Sequence, residues 1–96
     1  MSAVLTRRAR RDLAAIIGRI EEDNPIAAER MFEEFSEKFR LLEEFPGIGT
    51  PTDTGEIRIL PVKRNYRVHY RLPPPKLQIE RVVHVARNWS GEGLPA

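Results

Sequence analysis

Tyr66-Arg67-Val68-His69-Tyr70-Arg71-Leu72 alternates strictly between apolar and basic residues, and the rest of the chain is read outward from it. Successive side chains of a strand point to opposite faces, so Tyr66, Val68, Tyr70 and Leu72 share one face while Arg67, His69 and Arg71 share the other. The first face can fill a core; the second presents cations to solvent or to an anion. Two further runs rich in β-branched residues flank it. Ile57 to Val62 precedes it across the basic turn Lys63-Arg64-Asn65, and Leu77 to Ala86 follows the break at Pro73-Pro74-Pro75. Apolar residues on both sides of the outer runs predict a sheet packed by helices on one face and partly covered on the other.

The first half of the chain supplies those helices. Ala3-Val4-Leu5 is a short strand, and Thr6 is placed to cap the helix that follows. Leu13, Ile16, Ile17 and Ile20 form one stripe of that helix. Arg7, Arg8, Arg10 and Arg11 crowd its first turns, where the helix dipole favours anions, and read as a solvated face, the alternative being a surface for a partner or nucleic acid. Asn24-Pro25 stops this helix and starts a second, from Pro25 to about Phe45, with Ala28, Met31, Phe32, Phe35, Phe39 and Leu42 as its apolar, core-facing stripe. So tight a junction predicts an antiparallel helical hairpin. Phe45 to Pro51, with two prolines and two glycines, reads as a loop, and the tail from Ser90 to Ala96 as frayed. The expected architecture is α+β: an N-terminal strand and a helical hairpin on a small, mainly antiparallel sheet, in the order β-α-α-β-β-β.

With 96 residues, 41% hydrophobic and 31% charged, the chain fits one domain spanning 1-96 that folds rather than staying disordered. The absence of cysteine excludes disulfides and thiolate metal sites, and two histidines give a metal centre little support, so no metal or cofactor is expected. A reducing cytoplasm fits this composition. No apolar run approaches membrane-spanning length. Residues 1–48 carry a net charge of −2 and residues 49–96 a net charge of +4, so basicity belongs to the sheet.

Arg58, Lys63, Arg64, Arg67, Arg71, Arg81 and Arg87 therefore come together as a candidate anion-binding surface, since a guanidinium meets phosphate or carboxylate with a planar fork. The alternative is that these cations solubilise the sheet and pair with glutamates of the second helix. His69 and His84 are the side chains whose ordinary titration spans neutrality. His84 and Arg87 point to opposite faces of a regular strand, and no serine stands in a nucleophile setting.

The segments Leu42-Glu43-Glu44-Phe45-Pro46-Gly47-Ile48-Gly49, Ile57-Arg58-Ile59-Leu60, Tyr66-Arg67-Val68-His69-Tyr70 and Val82-Val83-His84-Val85-Ala86-Arg87-Asn88-Trp89 resemble the ParE/RelE superfamily of bacterial toxins, most closely its ParE branch. The resemblance implies the toxin of a type II toxin-antitoxin pair, held silent in a hetero-oligomer by a ParD-like antitoxin and acting, when free, by inhibiting DNA gyrase. On that reading Arg58, Lys63, Arg64, Arg67, His84, Arg87 and Trp89 form the binding set. The RelE branch implies instead an endoribonuclease that cleaves mRNA on the ribosome, with Arg67 and Arg87 on the phosphate and His84 as base. Against it, Trp89 stands near the end where ribonucleases of this group often have tyrosine, and an indole cannot exchange a proton near neutrality. A relative that keeps only antitoxin binding, without toxicity, is the third alternative.

Overall fold

Asn24 ends one helix and begins the next. Its backbone N–H donates to the Ile20 carbonyl at 2.8 Å, and its side-chain Oδ1 accepts from Ala27 N at 3.1 Å. With Pro25 preset for a helical first turn, α1 (Arg7–Asp23) and α2 (Pro25–Glu44) fold back on each other through this one residue. At the other end of α1, Thr6 is the expected cap, its Oγ1 accepting from Ala9 N at 3.0 Å.

The computed structural model describes residues 2–73 and 76–85. The hairpin packs on a five-stranded sheet of order β1-β5-β4-β3-β2, with β1 (Ala3–Leu5), β2 (Thr50–Pro51), β3 (Arg58–Val62), β4 (Tyr66–Arg71) and β5 (Leu77–His84). The β1 strand runs parallel to β5, and every other pair is antiparallel. The expected α+β order holds, with one addition. Thr50 and Pro51, read as loop, pair with Ile59 and Arg58 as a two-residue edge strand. So short an element has no periodicity to detect. The last strand stops at His84; Ala86, Arg87, Trp89 and the tail from Ser90 onward lie outside the described residues.

The apolar face of the alternating stretch is the floor beneath the hairpin. Val68 and Tyr70 are fully buried, and their cross-strand partners Val82 and Ile79 join them with Phe35 and Leu42 of α2. Each such side chain withdrawn from water contributes roughly 1.5–3 kcal/mol. Tyr66 completes this face, its ring edge-on to Phe35 with centroids 5.5 Å apart. One expected core residue is not there: Phe32 is 51% exposed, because the stripe of a long helix drifts around its axis and Phe32 falls beyond the arc that faces the sheet.

Two polar anchors fix what the apolar core cannot. Tyr70 is buried at its ring yet satisfied at its hydroxyl, which donates to Pro46 O at 2.7 Å and accepts from Gly49 N at 2.8 Å. Gly49 permits that approach, since a Cβ there would lie 2.5 Å from the Tyr70 oxygen. Arg58 clasps the same loop through Nη1, which donates to Gly47 O at 3.0 Å and Gly49 O at 2.7 Å.

The second anchor is Asp12. Because β1 pairs only with residues Leu77 to Ile79 of β5, the remaining edge of β5 lacks a strand neighbour, and α1 covers it instead. Thr6 Oγ1 donates to Glu80 O at 3.1 Å. Asp12 Oδ2 accepts from Val82 N at 3.0 Å and Arg81 Nε at 2.8 Å, and Asp12 Oδ1 from Arg81 Nη2 at 3.2 Å. A carboxylate thus stands in for a missing strand.

Asp12→Ala strands the Val82 N–H and the Arg81 guanidinium together, and is expected to lower unfolding stability by roughly 2–4 kcal/mol in urea titrations, with Asp12→Asn recovering part of the loss. Tyr70→Phe removes both hydroxyl bonds to the 46–49 loop and should cost about 1–3 kcal/mol in the same measurement.

Candidate functional site

The face of β4 turned away from the hairpin carries Arg67, His69 and Arg71. Register places Pro61 and Val83 on either side of Arg67, and Ile59 and Arg81 on either side of His69. A bulge between His69 and Tyr70 leaves Glu80 as the extra residue of β5, so His69 lies opposite Arg81 while Tyr70 lies opposite Ile79. The bulge sets the charge pattern. Glu80 and Glu56 both approach Arg71, at 3.7 and 3.4 Å, and Arg81 turns to Asp12.

Arg67 is different. Among the described residues no carboxylate lies within ion-pairing distance of it, and it stands half-buried between Pro61 and Val83. Its positive charge is felt by His69, whose pKa is held below the ordinary imidazole value of 6.5 first by burial and then by the Arg81 and Arg67 charges, with Asp12 opposing. A cation flanked by apolar walls, beside a histidine that stays neutral, can receive an acidic side chain or a phosphate oxygen.

The other sequence-predicted residues scatter. Arg58 is engaged with the loop carbonyls. Lys63 opens the hairpin turn at φ 56°, the left-handed region, and its ammonium lies 3.9 Å from Glu34. That is the only pairing among the described residues between a basic side chain of the sheet and a glutamate of α2. Arg64 is exposed at the tip of the same turn. His84 sits opposite Tyr66 with ring centroids 5.0 Å apart and planes at 81°, an edge-on contact on the hairpin side of the sheet. Arg67 and His84 are therefore on opposite faces. Arg87 and Trp89 lie outside the described residues.

Sequence reasoning counted Arg81 among the cations but had no signal for its place opposite His69, because a bulge leaves no periodic trace. It also missed the apolar surface of the hairpin, where Ile26 is 63% and Phe32 51% exposed. Among the described residues no group of histidine and acidic side chains could hold a metal ion, and no helix is long and apolar enough to cross a membrane.

Comparison with known proteins gives one coherent result. The family described as ParE toxin of type II toxin-antitoxin system, parDE, matches residues 3–89. A solved structure described as the chromosomal ParDE TA system from P. aeruginosa superposes with a TM-score of 0.77 at 27% identity, over 88% of this chain and 96% of that one. No curated protein matches.

His69 yields a pH signature. Its folded pKa lies below the unfolded value of 6.5, so the unfolded chain takes up the proton first as pH falls. The stability that neutral His69 confers is complete above about pH 6.5 and is lost as pH falls through the lower folded pKa. Urea midpoints measured from pH 7.5 down to 5 should decline, and the decline should be shallower in His69→Gln.

Proposed function

The chain belongs to the ParE toxin family of type II toxin-antitoxin systems, and on that premise we propose that it acts in the cytoplasm by binding and inhibiting DNA gyrase, with a ParD-like antitoxin holding it silent. The observation that carries the choice of binding over catalysis is the separation of Arg67 from His84. Cleavage of RNA needs a base at the ribose 2′-hydroxyl and a cation on the adjacent phosphate, within reach of the same scissile bond. Arg67 faces away from the hairpin, while His84 packs edge-on against Tyr66 on the hairpin side. The sheet lies between them. A shared phosphate is out of reach, and the reading as a ribosome-dependent endoribonuclease loses its base.

Arg67 serves a binding surface better. Walled by Pro61 and Val83 and lacking a carboxylate partner among the described residues, it has the make-up of a contact that contributes most when an acidic group of a protein partner covers it. Arg64, exposed at the tip of the turn between β3 and β4, steers an acidic partner more than it holds one. An antitoxin segment that orders as it binds would cover apolar surface on the toxin, forming the hetero-oligomer that the family implies.

Purified, antitoxin-free chain is expected to block gyrase supercoiling in vitro while leaving mRNA intact in programmed ribosomes. Unchanged supercoiling at saturating protein would refute gyrase as target; message cleaved by the wild-type chain but left intact by Arg67→Ala would restore the ribonuclease. Arg67→Ala should weaken gyrase inhibition by roughly tenfold or more. Normal growth on induction without antitoxin, with folded protein present, would mark a relative that has kept only antitoxin binding.

A further inference from the structure

Arg7, Arg8, Arg10, Arg11 and Arg19 of α1 are all exposed, and among the described residues none of them enters an ion pair. Four of them stand in the first turns, where the helix dipole favours anions, and no acidic residue of the first turn offsets them. The cap at that end is already supplied by Thr6, so what these residues offer is the charge of their side chains.

Arg8, Arg11 and Arg19 lie at helical spacing from Asp12 and Ala15 and share one flank of the helix with them. Asp12 fixes which flank that is, because its carboxylate reaches Val82 N and Arg81 at the open edge of β5. The three guanidinium groups therefore run along the rim of the sheet, over about 16 Å of helix. Asp12 is spent on Arg81 and the β5 edge, which leaves the row positive. Glu22 and Asp23, with charge that repels an anion, mark where it ends.

The surroundings of the row select its partner. A protein interface has an apolar centre with charge at its rim, whereas this flank has Ala15 as its apolar side chain. A single nucleic-acid strand is held by aromatic rings on which its bases stack, and α1 contains no aromatic residue. A duplex backbone requires neither. It presents a phosphate every 3.4 Å or so of axis on each strand, and its binding is driven by cations that release condensed counterions. We propose that this flank of α1 binds the phosphate backbone of a nucleic-acid duplex, in contacts that position the chain without reading sequence. The site is separate from Arg67, which lies on the face of the sheet turned away from the hairpin.

Fluorescence anisotropy of the full chain, free of antitoxin, with short labelled duplexes tests this. Affinity should be indifferent to scrambling of the sequence and should fall with salt at a log–log slope of about −3, for three phosphates contacted. DNA and RNA duplexes of one length, titrated side by side, identify the source of the phosphates by the tighter binding. R8Q/R11Q should weaken binding roughly tenfold or more and make the slope shallower by about 2. R30Q/R40Q, which removes the same charge from exposed positions of α2, and Arg67→Ala should each stay within about threefold of the original, with helical circular dichroism unchanged in all. Absence of saturable binding at about 0.1 mM chain in low salt, or a loss in either control equal to that in R8Q/R11Q, overturns the proposal. So does polyglutamate that competes as well as duplex, charge for charge, which would give the flank to an acidic protein. No gyrase is present, so the outcome stands apart from the supercoiling assay.

Discussion

A single carboxylate decides how the helical and sheet layers meet. Most of β5 past Ile79 has no strand on its outer side, and an exposed edge of that length would invite pairing with another chain. Asp12 closes it by accepting from Val82 N and from the Arg81 guanidinium. Charge-assisted bonds of this kind are stronger than neutral ones and fix direction as well as distance. The bond sets where α1 lies along the sheet, and with it the hairpin, the buried Phe35 and Leu42, and the floor they rest on. Glu43 of α2 does a related service at the other end, accepting from Ala3 N at 2.7 Å. Acidic residues of the helices thus finish the sheet where strands run out.

The layering separates two surfaces that composition alone merges. Residues on the hairpin side, including His84 against Tyr66, belong to packing, whereas Arg67 and His69 lie on the far side. Charge counts make one basic patch of the cations, yet the structure divides them by task. Arg58 holds a loop, Arg81 holds an edge, Arg71 meets two glutamates, and Arg67 is left facing outward between apolar neighbours. Of these four, Arg67 alone has no side-chain hydrogen bond or ion pair among the described residues.

Much of the fold was legible because its signals are local. Thr6 and Asn24 cap in the ways their side chains dictate, Pro25 starts a helix, and strict alternation over Tyr66 to Leu72 put Val68 and Tyr70 in the core. What sequence missed depends on contacts between distant residues. Thr50–Pro51 is a strand only because Ile59 and Arg58 lie beside it. Glu80 is left without a partner position on β4 at the bulge, while its carbonyl accepts from Thr6 at the start of α1. Phe32 looked like core, since hydrophobicity and spacing say which residues form a stripe but not how wide an arc the sheet can cover. The family resemblance supplied identity from spaced blocks of residues, while Asp12, the residue that completes the sheet, belongs to none of them.

The parallel pairing of Ala3 with Leu77 has a consequence in time as well as space. The last strand among the described residues is an inner one, flanked by the first strand on one side and β4 on the other, so strands far apart in sequence pair directly inside the sheet. Helices and the β3–β4 hairpin have local contacts and can form early, whereas contacts of such long sequence separation form slowly and late. Until β5 arrives, Ala3 to Leu5 has no neighbour to pair with and Asp12 has no edge to close. Val83, one wall of the Arg67 face, lies on β5 and pairs with β4 at short sequence separation, so that face can form before Ala3 to Leu5 docks against β5. A chain stopped short of that strand would hold a helical hairpin and an unfinished sheet, and no complete surface to offer any partner.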